Sequence, residues 1–150
     1  MSGPRRLDLR GRDPGEVDLE PVARHLQGGG VVVYPTETVY GFGCLLQPEP
    51  LATLRRFKSR GPASPFLLLV EGRTGVPGLV WTAGAAEMAR VFWPGALTLV
   101  LSDPGGRYPG SVRSWKGGVA VRRTSHPLAA RLVEAVGGPL TSTSANAQGE

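Results

Sequence analysis

The sequence predicts a single α/β domain, and three observations carry that reading. Apolar runs at 31–33, 66–70, 97–101 and 119–121 alternate with segments whose apolar residues recur at helical spacing. One hundred and fifty residues are enough for one core and need no second. The run at 31–33 is ended by Pro35 and followed by Thr36, Glu37, Thr38 and Tyr40. Polar groups gathered at the end of a buried strand mark the place where open α/β sheets hold ligands.

Composition narrows the function classes. Apolar residues make up 41% and charged residues 19%, a globular balance. No apolar run approaches the ~18 residues of a membrane span, and Met1 to Asp18 has no apolar stretch of the kind a secretory signal requires. Residues 1–17 are expected to form a flexible arm, and 18–150 the folded domain. A single cysteine, Cys44, excludes an internal disulfide and any cysteine-rich zinc site, which fits a reducing cytoplasm. It reads as a small buried apolar residue rather than a nucleophile. The net charge of +5 favours an anionic partner, nucleotide or nucleic acid. All but Lys58 and Lys116 of the 17 basic residues are arginine, the better fork for phosphate and carboxylate.

Taken in order, Asp18 to Gln27 presents Leu19, Val22, Ala23 and Leu26 on one face, with Asp18 as N-cap and Gly28 as stop. His25 falls on its polar side and is expected to be solvated. Val31 to Val33 follows as a strand buried on both faces. Gly41 and Gly43 close the polar stretch, where they permit a turn or a close approach. Pro48 to Phe57 is a second helix with Leu51, Leu54 and Phe57 spaced for burial. Its end carries Arg55, Arg56, Lys58 and Arg60, cations that complement a helix C-terminus or serve a phosphate. Phe66 to Val70 is a buried strand, Glu71 to Val80 a loop, and Ala83 to Phe92 a third helix. Leu97 to Leu101 reads as another interior strand, in which Thr98 is either a strand residue or a wall of a site. Ser102 to Gly118 interleaves Arg107, Arg113 and Lys116 with Tyr108 and Trp115; this is a solvated loop or a grip on single-stranded nucleic acid. Val119 to Val121 delivers Arg122 at its end, placed to take a carboxylate. His126 precedes Pro127 at the start of the helix Leu128 to Val136 and is a cap-region residue. A last strand from Pro139 ends in Ser142, Ser144 and Asn146.

No Gly-x-x-x-x-Gly-Lys-Ser/Thr occurs, nor a Gly-x-Gly-x-x-Gly after a strand. A bound nucleoside triphosphate would depend on side-chain cations.

Five segments together resemble the YrdC family, the threonylcarbamoyl-AMP synthases of tRNA modification. They are Tyr-Pro-Thr-Glu-Thr-Val-Tyr-Gly at 34–41, Lys58-Ser59-Arg60, Trp-Pro-Gly-Ala-Leu-Thr-Leu-Val at 93–100, Val-Ala-Val-Arg-Arg-Thr-Ser-His-Pro at 119–127, and Ser-Ala-Asn at 144–146. Gly61 and Ala96 stand where the family usually has proline, and Arg123-Thr124 departs from its usual residue-then-proline. The resemblance implies a twisted mixed parallel and antiparallel sheet with flanking helices around a basic concave site. It implies a nucleotidyltransferase that joins L-threonine, bicarbonate or carbon dioxide, and ATP with Mg2+ into threonylcarbamoyl-AMP, releasing pyrophosphate. The product serves N6-threonylcarbamoyladenosine at tRNA position 37, through a transferase complex.

In that reading Lys58 and Arg60 are catalytic and hold the ATP phosphates, with Thr98, Ser144 and Asn146 completing the nucleotide site. Thr36, Arg122 and Ser142 hold threonine, and no protein-ligated metal is expected. Two alternatives share the fold: a non-catalytic module for tRNA or double-stranded RNA, and a carbamoyl-adenylating domain. Relatives continue beyond Ser-Ala-Asn, so the 150-residue form is expected to bind nucleotide yet turn over poorly unless a neighbouring copy covers the open side.

Overall fold

The computed structural model describes residues 3–58 and 64–146. Among them four helices, α1 (Glu20–Gln27), α2 (Pro48–Lys58), α3 (Ala83–Phe92) and α4 (Pro127–Val136), flank one sheet. Its six strands are β1 (Val32–Tyr34), β2 (Gly41–Gly43), β3 (Leu67–Leu69), β4 (Leu99–Ser102), β5 (Gly118–Arg122) and β6 (Leu140–Ser144), in the order β1-β2-β6-β3-β5-β4. Only β3 and β5 pair in parallel. The other pairs are antiparallel, so the sheet is mixed, as expected.

Register explains why there are two cores. Leu69 pairs with both Leu140 and Arg122, and Leu68 with both Thr141 and Val121, so alternate residues look to opposite faces. On one face Tyr34, Leu69 and Leu140 pack with Leu26 of α1 and Ala129, Leu132 and Val133 of α4. On the other, Leu68, Val119, Val121 and Leu101 pack with Leu51 and Leu54 of α2, together with Phe66 and Val112. Each fully buried Leu or Val contributes roughly 1.5–3 kcal/mol of transfer free energy. The segment before α1 is tied to the first core. Val17 is buried, and the Arg131 guanidinium of α4 donates to the carbonyls of Pro14 and Val17, the latter at 2.9 Å.

Several sequence expectations change in the folded chain. The run at 31–33 is not buried on both faces: β1 lies at the sheet edge and Val33 is 53% exposed. The run at 97–101 is likewise the opposite edge strand, with Val100 70% exposed. An apolar run reads the same whether neighbours cover one face or two, and only strand order decides. Phe57 is exposed rather than core, its ring centroid 6.0 Å from that of Phe42. The first helix begins at Glu20, whose N–H donates to the Asp18 carboxylate at 3.0 Å. His25 is exposed as expected, but Nε2 lies 3.2 Å from the Val31 carbonyl and the ring covers Gly30, closing the turn into β1.

Gly41 and Gly43 form β2 instead of a turn, because β2 runs beneath a ring. Tyr34 lays its buried ring across the strand and donates to the Thr141 carbonyl at 2.8 Å. A Cβ on Gly43 would stand 2.5 Å from Tyr34 Cε1 and 2.6 Å from the Thr141 carbonyl oxygen. Gly43→Ala is therefore expected to cost about 3 kcal/mol, the upper end for overpacking, since the second obstacle is backbone of a central strand. Urea unfolding checks this, and a loss below about 0.5 kcal/mol would show that the strands part freely.

The 102–118 segment is neither a plain solvated loop nor a free basic stretch. The buried Asp103 carboxylate accepts from the backbone N–H groups of Arg107 and Tyr108, both at 3.0 Å, and pairs with Arg113 at 3.1 Å. Burial raises its pKa, but these donors more than offset that and hold it below the ordinary value. Tyr108 is buried, whereas Trp115 is 83% exposed beside the Lys116 ammonium.

Candidate functional site

The five motif segments, distant in sequence, meet through a continuous series of polar contacts. The turn 35–40 between β1 and β2 is built on Thr36. Its hydroxyl donates to the Val39 carbonyl at 2.6 Å and accepts from the N–H groups of Thr38 and Val39 at 3.3 and 3.2 Å. A threonine that closes a turn in this way keeps its side chain at the loop base. Thr36 is half-buried there, while Val39 and Tyr40 are exposed at the tip.

From this turn Glu37 reaches the end of β5. Oε2 accepts from the Thr124 hydroxyl and Oε1 lies 3.5 Å from Arg122 Nη1, an ion pair without a hydrogen bond. Both side chains are largely covered, with 14% and 17% exposed. Burial raises the Glu37 pKa. The Thr124 hydroxyl, backbone N–H groups and the Arg122 charge outweigh it, so the carboxyl is held below its ordinary value.

A depressed carboxyl pKa stabilises the fold above the ordinary carboxylate range, and that contribution is lost as pH falls through it to the folded value. The stability gap between wild type and Glu37→Gln is expected to be widest above about pH 5 and to close towards pH 3. A gap independent of pH, measured by denaturant unfolding at each pH, would place the carboxylate's role elsewhere.

Arg122 is held from a second side. Nε and Nη2 both donate to Thr98 Oγ1, at 3.1 and 2.8 Å. Of the five guanidinium N–H groups, Thr98 engages two, leaving one on Nη2 and two on Nη1. Arg122 therefore presents a fixed Nη1–Nη2 edge beside Glu37. Thr98 supports the arginine in this arrangement. The side chains of Arg122 and Arg123 part company: Arg122 turns toward Glu37 and Thr98, whereas Arg123 is exposed and lines a cleft with α3.

At the other end of the turn, Ala145 N–H donates to the Tyr40 carbonyl at 2.8 Å, tying the signature loop to Ser-Ala-Asn. Lys58, at the end of α2, is buried, and its Nζ donates to the Ser144 carbonyl at 2.7 Å and to the Asn146 carbonyl, with Asn146 Oδ1 at 3.5 Å. Lys58 thus stands against Ser144 and Asn146, the residues expected to share the nucleotide with it, through carbonyls and one side-chain oxygen. Ser142 and Ser144 alternate onto one half-exposed side of β6, and a Cβ on Gly41 would lie 3.0 Å from Ser142 Oγ. Arg60 lies outside the described residues.

Glu37 and Thr124 are the participants that sequence reading left without a role. The signal was present: Glu37 is the one carboxylate in a motif otherwise made of hydroxyls, and Thr124 stands where a proline was expected. Cys44 takes no part. It is fully buried, its backbone exchanges hydrogen bonds with Thr141, and burial pushes its thiol pKa up. His126 supplies a backbone N–H to the Thr124 hydroxyl at 3.2 Å. Among the described residues no group of three or more His, Cys, Asp or Glu side chains gathers to hold a metal ion, and no helix is long and apolar enough to cross a membrane.

Known proteins resemble this chain in sequence and in fold. The Sua5/YciO/YrdC family model, described as "Telomere recombination", covers residues 24–150. A threonylcarbamoyl-AMP synthase of Alkalilimnicola ehrlichii is 40% identical over 133 residues, 88% of this chain and 70% of that protein. Among solved structures, P. abyssi Sua5 in complex with L-threonine superposes with a TM-score of 0.81 at 30% identity, covering 88% of this chain. A doubly substituted P. abyssi Sua5 superposes with a TM-score of 0.83 at 29% identity, covering 95%. The present chain spans 39% and 44% of those two Sua5 chains. With the family model covering most of the sequence and the five motif segments joined in space, the chain belongs to the Sua5/YciO/YrdC family.

Proposed function

We propose that this protein is an L-threonylcarbamoyladenylate synthase, converting L-threonine, bicarbonate and ATP into threonylcarbamoyl-AMP and pyrophosphate. The single observation that carries the reading is the fixed Arg122 edge, clamped by Thr98 and Glu37 at one end of a polar chain that ends at Lys58 and Ser-Ala-Asn. One end suits a substrate carboxylate, and at the other a polyphosphate would take the place of a carbonyl on the buried Lys58 ammonium. This pairing is what the joining of an amino-acid carbamate to an adenylate needs.

Arg122 takes the threonine carboxylate on its Nη1–Nη2 edge, with Thr36 and Ser142 flanking the amino acid. Lys58 and Arg60 meet the phosphates, and Ser144 and Asn146 the nucleoside. A carbamate oxygen of N-carboxythreonine attacks the α-phosphorus, and the bond to pyrophosphate breaks. Such a step requires alignment and charge neutralisation more than covalent machinery. Mg2+ enters with ATP as part of the substrate, since the one carboxylate at the site, Glu37, is already engaged by Thr124 and Arg122. The product is destined for tRNA through a transferase complex, in the cytoplasm. Choice of threonine over serine rests on one methyl group, worth ~1–3 kcal/mol.

The test is pyrophosphate release with threonine, bicarbonate and Mg2+-ATP, each omitted in turn. Release that requires all three is expected. Release that proceeds without threonine once an unsubstituted carbamate source is supplied in its place would point to a carbamoyl-adenylating domain, and no release alongside salt-insensitive RNA binding would point to a non-catalytic RNA module.

A further inference from the structure

Arg123 has no place in the mechanism above, and it leads to a second cleft. The cleft, about 670 Å3, is lined by Arg73, Glu87, Arg90, Trp93 and Arg123, with small residues of α3. Three guanidinium groups face one carboxylate in it.

The cations are held by different means. Arg73 lies over the Trp81 ring, 5.2 Å from its centroid, and Trp81 meets Trp93 edge to face at 5.8 Å. Arg90 is fixed by the Glu87 carboxylate through two hydrogen bonds of 2.6 and 2.9 Å. Arg123 is anchored through its backbone, its carbonyl accepting from Gly95 N–H at 2.8 Å, while its side chain is exposed.

One guanidinium stacked on indole and two more lining the same recess offer a multidentate anion receptor, which suits phosphate better than a point charge does. The 93–98 turn separates this cleft from the first site, giving Thr98 to Arg122 on one side and Trp93 and Gly95 to the Arg123 cleft on the other.

We infer that the Arg73–Arg90–Arg123 cleft is a second, non-catalytic binding site for phosphoryl anions, distinct from the site around Arg122. The phosphate comes either from a free polyphosphate or from the backbone of a polynucleotide, and the two sources separate experimentally. Binding of inorganic pyrophosphate and of a single-stranded RNA oligonucleotide is measured by calorimetry for wild type, Arg123→Ala and Arg73→Ala/Arg123→Ala. No ATP is present, since ATP is itself a polyphosphate, and the binding that the variants lose reports the cleft while the binding they keep reports the first site.

At least one probe is expected to bind wild type and to weaken about tenfold in the single variant and further in the double. Pyrophosphate as that probe identifies a free-anion site. RNA alone, with affinity falling steeply as salt rises, identifies a polynucleotide site. Threonine-dependent turnover is expected to survive in both variants, whose circular dichroism reports that they fold. If neither probe binds, or if binding is unchanged in the double variant, the cleft is not a phosphate site. If Arg123→Ala abolishes turnover, it is not distinct from the first.

Discussion

Replacing Arg122 by alanine is expected to raise the KM for threonine about 10–100-fold and to lower the stability of the fold in the same step. The first effect follows from losing a charge-assisted contact to the substrate carboxylate, worth ~1.5–3 kcal/mol. The second follows from what stays behind. Glu37 is held at 14% side-chain exposure with its Oε1 facing Arg122, and without the guanidinium that carboxylate has lost its counter-charge. Breaking one side of a buried ion pair costs about 3 kcal/mol, at the low end because both groups retain some solvent. In a domain of this size that is roughly 6–12 °C in Tm.

The two effects separate in Glu37→Gln/Arg122→Ala, where the unpaired charge is gone. Stability is expected to recover, and threonine binding is not. Arg122→Lys is expected to behave like the alanine variant in threonine KM, because an ammonium cannot span Thr98 and a carboxylate as a planar fork does. An unchanged threonine KM in Arg122→Ala, with the variant folded, would remove Arg122 from the substrate site.

Lys58→Ala is expected to have the other large effect. The ammonium is buried and bridges the carbonyls of Ser144, at the end of β6, and Asn146, just past it, so its removal takes away the donor that draws this segment onto α2. Hydrogen bonds from a charged donor contribute ~1.5–3 kcal/mol each, and a loss of about 3 kcal/mol in unfolding free energy is expected for the pair. Nucleotide affinity is expected to fall as well, about tenfold or more, through the lost phosphate contact and through the slackened Ser-Ala-Asn segment. Lys58→Met keeps the apolar stem and removes only the charge, and it should reproduce the loss of affinity. If calorimetry finds ATP affinity unchanged in both folded variants, Lys58 is a fold anchor and nothing more.

The elements of this protein were legible along the chain because the physics that sets them is local. Helical spacing of Leu51 and Leu54, the stop at Gly28, and the apolar runs that became β3 and β5 depend on neighbours within a few residues, and all lie close to where they were expected. The residue types of the site were legible for the same reason. An arginine at the end of Val119–Val121 and hydroxyls after a strand are local signals of ligand chemistry.

What only the tertiary structure decided is everything set by strand order and by long-range pairing. Edge or interior is not written in Val31–Val33 or Leu97–Leu101, because strand order sets the edge and the layers packed on each face set exposure, and Val33 and Val100 join neither core. For Gly43 the sequence left a turn or a close approach open, and Tyr34 and Thr141, which occupy the space of its Cβ, decide for the close approach. Glu37 meets Arg122 across 85 positions of chain, and Lys58 meets Asn146 across 88, so no window of sequence contains either partner with its mate. Nor does the sequence say which of two adjacent arginines turns inward. Arg122 does so because Thr98 and Glu37 receive it, and Arg123 is left to the cleft beside α3.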